Sequence, residues 1–102
     1  MTAAQATLFA APAYDTRPGA RDLGYIRNAI KAAVARAERD HLAYVAVVDA
    51  PGGYGFRFQE TNDPDAWPIR EGLEDGLLLY LIATGAATFT AADVTRALEG
   101  QR

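Results

Sequence analysis

The stretch Ala43–Gln59, AYVAVVDAPGGYGFRFQ, constrains the fold of this chain more than any other. Val45, Val47 and Val48 supply β-branched bulk, and Tyr54, Phe56 and Phe58 alternate with Gly55, Arg57 and Gln59. Between the two runs, Asp49-Ala50-Pro51-Gly52-Gly53 is a dense turn signal, so the segment reads as a β-hairpin. A lone two-stranded hairpin is marginal in water. The remainder of the chain must therefore cover one of its faces.

The flanking sequence supplies helices for that purpose. Over residues 20–39, Leu23, Ile26, Ile30, Val34 and Ala37 recur at spacings of three and four, with Ala29 and Ala33 widening the stripe. Asp22 in the first turn and Arg36 and Arg39 in the last suit the helix dipole. Residues 69–84 carry a second stripe, Ile69, Leu73, Leu77, Tyr80 and Leu81. Gly72 and Gly76 weaken that helix by about 1 kcal/mol each relative to alanine. Leu77–Ile82 also fits a buried third strand, but leucine dominates it and β-branching is nearly absent, which favours helix. The last helix runs from an N-cap at Thr90, with Asp93 three residues on as in a capping box, and Gly100 closes it. Phe89 and Val94 are spaced as a hydrophobic staple, and Gly85 suits the residue just past the preceding helix.

The expected architecture is α+β: an antiparallel hairpin sheet packed by one N-terminal and two C-terminal helices, in the order tail-α-β-β-α-α. Met1–Pro18 has no steady period and contains Pro12 and Pro18, so it reads as a tail; residues 19–102 read as one domain. The segment Glu60–Pro68, with two prolines and several acids, reads as a loop. If Leu77–Ile82 is helix, a two-stranded sheet leaves two edges on which a partner could add a strand.

Composition excludes several chemistries. Of 102 residues none is cysteine or serine, and His41 is the sole histidine. Disulfides, thiolate zinc sites, histidine clusters and serine or cysteine nucleophiles are thereby ruled out. No enzymatic activity and no cofactor is expected. Nothing at the N-terminus has the form of a secretory signal, and the longest apolar run, Leu77–Ala83, is too short to span a bilayer. A cytoplasmic protein without membrane contact is the expectation. Lys31 is the only lysine among many arginines and alanines, a usage that suggests a GC-rich bacterial or phage gene.

The net charge of −3 conceals an asymmetry. Residues 15–41 hold six basic side chains against four acidic ones, and residues 42–102 hold four against nine. That basic excess is small for sequence-independent nucleic-acid binding. A dipolar domain suits protein partners. Arg27 and Lys31, four apart on the first helix, and Arg96 on the last are the residues a nucleic-acid interface would use. Acids at Glu60, Asp63, Asp65, Glu71, Glu74 and Asp75 lack the glycine and closing glutamate of a calcium loop. Gly52-Gly53-Tyr54-Gly55 precedes a strand without a nearby lysine, so it is turn chemistry and no phosphate loop.

Two short resemblances bear on function. Gln5-Ala6-Thr7-Leu8-Phe9 resembles the bacterial sliding-clamp-binding motif, a glutamine, two variable residues, then leucine and phenylalanine. The resemblance implies that Gln5 hydrogen-bonds at a pocket rim while Leu8 and Phe9 fill an apolar pocket. Large apolar anchors in pockets dominate such binding. The string Ala86–Gly100 looks like the opening of many helix-turn-helix domains, but here the recognition helix does not follow. Trp67, an aromatic in a polar loop, is a further candidate anchor. The combined expectation is a small protein-binding factor of phage or mobile-element type, acting on a host machine such as the sliding clamp or a defence complex. The alternative is a small DNA-binding regulator using the C-terminal helices.

Overall fold

The structure is a computed structural model that describes residues 19–50, 52 and 55–102. The elements are β1 (Arg21–Asp22), α1 (Leu23–Arg39), β2 (Tyr44–Asp49), β3 (Phe56–Thr61), β4 (Trp67–Pro68), α2 (Leu73–Ala83), β5 (Thr88–Phe89) and α3 (Ala91–Glu99). Among the described residues the fold is α+β with three helices, as the sequence predicts. Tyr54 of the predicted hairpin, and the whole of Met1–Pro18, lie outside the described residues.

β2 and β3 form the predicted antiparallel hairpin, registered from Tyr44↔Thr61 to Asp49↔Phe56. The Ala50 N–H donates to the Gly55 carbonyl at 2.9 Å and closes the turn. Gly55 has φ +139°, a backbone conformation that L side chains rarely adopt, so the position favours glycine; the Arg21 guanidinium packs where a Cβ would lie. Phe56, Phe58 and Val45 are buried on the inner face beneath α1 and α3. Tyr44, Ala46, Val48, Arg57, Gln59 and Thr61 alternate onto the outer face.

Two expectations are corrected. Among the described residues the sheet has three strands, in the order β3-β2-β4, where two are expected, while Leu77–Ile82 is helix within α2, as expected. The third strand is Trp67–Pro68, inside the segment read as a loop. A proline is tolerated because of register. Ile69 N–H donates to the Ala43 carbonyl at 2.9 Å, so Ala43 and Val45 turn their polar groups towards β4 and Tyr44, opposite Pro68, does not. Pro68 therefore owes no donor to β2, the edge position at which proline is admitted. A second, two-residue ribbon pairs Arg21 with Phe89 and Asp22 with Thr88, and ties the start of α1 to the start of α3.

The helix ends follow their side chains. Asp22 caps α1 by accepting the Tyr25 N–H at 2.8 Å. At its C-terminus the Leu42 N–H donates to the Ala37 carbonyl and the His41 N–H to the Glu38 carbonyl, a Schellman closure. His41 holds its left-handed position at φ 57°. α3 begins with the predicted capping box between Thr90 and Asp93 and the buried staple Phe89 and Val94. Gly85, at φ 76°, follows α2 as predicted. Ile26, Ile30, Ala33 and Ala37 from α1 join Leu73, Leu77 and Leu81 from α2, and Val94, Ala97 and Leu98 from α3, in the buried core.

Candidate protein-interaction surface

The sheet edges are closed more fully than a bare hairpin would allow. Register directs the backbone groups of Phe56, Phe58 and Glu60 away from β2. The Phe56 carbonyl accepts the Tyr25 hydroxyl at 2.9 Å, and the Phe58 carbonyl accepts Arg36 at 3.1 Å. Arg36 also donates through Nε to the Glu60 carboxylate, whose side chain is 8% exposed. Glu60 receives a second donor from Gln59. On the opposite edge β4 pairs with Tyr44 and Val45. Side chains and a short strand thus blunt the two edges that the sequence left open to strand addition.

The exposed apolar surface lies elsewhere, on α2. Its sequence, LEDGLLLYLIA, is apolar nearly all round. Leu73, Leu77 and Leu81 point into the core, at one face of the 3.6-residue period. Leu79 and Ile82 are 66% and 55% exposed, and Tyr80 38%. Leu78 is half-buried against the core and extends the strip towards α1. There α1 and α2 border a groove of about 320 Å³ lined by Leu23, Arg27 and Lys31 on one side and Glu74, Asp75, Leu78 and Ile82 on the other. Lys31 and Glu74 bridge it at 3.7 Å. Arg27 and Asp75 have no ion-pair partner among the described residues. Periodicity alone missed this surface. Of the predicted stripe Ile69, Leu73, Leu77, Tyr80 and Leu81, the three leucines are buried, but Tyr80 is exposed and Ile69 precedes the helix; the further apolar residues at 79 and 82 are the signal that a second side is apolar too.

The residues singled out from sequence are distributed as follows. Gln5, Leu8 and Phe9 lie outside the described residues. Trp67 stands in β4, half-buried against the core, with the Arg102 guanidinium 5.6 Å above its ring. Its Nε1 is buried without a hydrogen-bond partner among the described residues. Beside it is a cavity of about 250 Å³ whose lining includes Leu73, Leu98, Arg70 and Gln101. Arg27 and Lys31 share the α1–α2 groove, whereas Arg96 sits on α3, 3.3 Å from Asp93. The acidic residues divide their work: Glu60 holds Arg36 and Glu74 holds Lys31. No group of three or more metal-ligating side chains occurs among the described residues. Nor is any helix among them long and apolar enough to cross a membrane.

The clearest electrostatic perturbation is at the end of α1. There the hydrogen bond from Arg39, at 3.1 Å, holds the Asp40 carboxyl below its usual range, and the same contact raises Arg39. Both side chains are exposed, so the effect is local. Comparison with known proteins gives no matching family, no matching curated protein and no matching solved structure.

Proposed function

We propose that this chain is a small non-enzymatic protein-binding factor that acts by contact on a larger assembly. The observation that carries the reading is the apolar face of α2, where two large aliphatic side chains stand in water beside a groove. Exposed apolar surface bordered by charge is characteristic of protein contacts. By the resemblance of Gln5-Ala6-Thr7-Leu8-Phe9 to the clamp-binding motif, the target is a bacterial sliding clamp. A defence complex of the host is the other target that a phage or mobile-element factor of this kind would address. Two anchors, Leu8 and Phe9, supply the pocket-filling contacts that dominate such binding.

Gel filtration with a purified bacterial sliding clamp tests the target. The wild type co-elutes; Leu8→Ala with Phe9→Ala abolishes co-elution while the circular dichroism spectrum is unchanged. Absence of co-elution by the wild type removes the clamp from the proposal. Capture from a bacterial lysate with the wild type and with Leu79→Glu tests the wider reading. Loss of no captured protein from either variant would overturn it. A DNA-binding reading has less support, because Lys31 and Arg96 are already in ion pairs and do not share a groove.

A further inference from the structure

We infer that the apolar face of α2, with the groove it shares with α1, is the interface of a two-fold symmetric homodimer. The inference rests on the protein-binding reading above and names the occupant of that face as a second copy of this chain.

A helix that is apolar on all sides has packing partners on all sides. α2 has core residues behind it and nothing among the described residues in front of Leu79 and Ile82. The borders of the strip identify what fits there. A two-fold interface must be self-complementary, because each patch meets its own image. A patch bordered by charge of one sign repels its copy. Among the described residues the groove in this patch has an unpaired cation on its α1 border, Arg27, and an unpaired anion on its α2 border, Asp75. Rotation about an axis through the strip exchanges the borders. Arg27 of each copy then faces Asp75 of the other across the groove, and the outward side chains of Leu79 and Ile82 are covered in the same contact. Lys31 and Glu74 remain paired within each chain and add no net charge to the contact. Such charge placement sets the register of association, and the aliphatic centre supplies its strength.

Sedimentation velocity of the full chain across the micromolar range tests the inference. The wild type is expected to shift from the 10.9 kDa chain mass towards twice that value as concentration rises. Leu79→Glu and Ile82→Glu replace side chains already exposed in the single chain, so the circular dichroism spectrum should not change. Each should weaken association by at least about tenfold, the effect of losing a central anchor. Asp75→Arg should also weaken it, and Arg27→Asp in the same chain should restore it. A wild type that stays monomeric at every concentration overturns the dimer. If Leu79→Glu nonetheless loses a captured partner, the protein-binding reading survives that failure. A dimer indifferent to Leu79→Glu places the interface elsewhere and overturns the assignment. Failure of the charge exchange to restore association overturns the two-fold arrangement.

Discussion

Replacing Arg36 with methionine tests how the sheet edge is closed. The guanidinium donates to the Phe58 carbonyl and to the Glu60 carboxylate, and methionine keeps much of the stem while removing both donors. The Arg36 side chain is 40% exposed, so the ion pair itself contributes no more than about 1 kcal/mol. The larger effect falls on what remains. Glu60, 8% exposed, keeps only the Gln59 amide, and a nearly buried carboxylate stripped of its cation costs about 1–3 kcal/mol. The Phe58 carbonyl loses little, because a shortened side chain admits water to the edge. The expected loss is about 2–3 kcal/mol, a large part of the roughly 5–15 kcal/mol that stabilises a domain. Urea denaturation followed by circular dichroism measures it, and melting should fall by on the order of 10 °C. Glu60→Gln completes a double-mutant cycle, in which the coupling energy should be about 1–2 kcal/mol. An Arg36→Met variant within about 0.5 kcal/mol of wild type, with no coupling, would refute the reasoning and make the pair an ordinary surface contact.

Three further outcomes follow from particular residues. Phe56→Ala removes a fully buried ring that meets Tyr25 and Phe58 edge to face, each at 6.1 Å, and should cost about 3–5 kcal/mol in the same denaturation assay. His41→Gly relieves a non-glycine residue at φ 57° in the closure of α1 and should raise stability by about 1 kcal/mol; a loss would show that the imidazole makes a compensating contact. Asp40, lowered by the hydrogen bond from Arg39, should titrate below the ordinary carboxylate range in an NMR experiment. Because its folded value is depressed, its contribution to stability is present at neutral pH and is lost as pH falls through that value. Arg39→Gln should return Asp40 to the usual range.

The hairpin, the two outer helices and the capping box were legible because each rests on local chemistry: alternation, a 3.6-residue period, and paired side chains three residues apart. What was not legible depends on distant partners. Trp67–Pro68 is too short for any pattern and becomes a strand only because Ala43 and Val45 present polar groups towards it. At Leu77–Ile82 the near absence of β-branching favours helix over a third strand, and the segment is helical. From sequence, Glu60 reads as one acid of a proline-containing loop and Arg36 as a base that suits the helix dipole. Their joint closure of the β3 edge links positions 24 apart and has no local signature. His41 marks the end of α1 in the sequence, but a left-handed residue there would ordinarily be glycine.

α2 connects the stability of the fold to its proposed use. Its N-terminal cap is Gly72, which makes no side-chain cap, and Gly76 lies within its second turn. Glu74 and Asp75 favour the dipole in compensation. By intrinsic propensity it is the weakest of the three helices, so it depends on tertiary burial of Leu73, Leu77 and Leu81. Burying Leu79 and Ile82 in a second contact would add to that burial from the opposite side. Association should therefore tighten α2 before any other element, since whatever binds only the folded state stabilises it. Amide hydrogen exchange reads this directly. At low concentration α2 should exchange faster than α1 and α3. As concentration rises, its protection should increase in the wild type and stay unchanged in Leu79→Glu. Equal protection of all three helices, unaffected by concentration, would mean that the core alone holds α2 and that its outer face has no structural part in association.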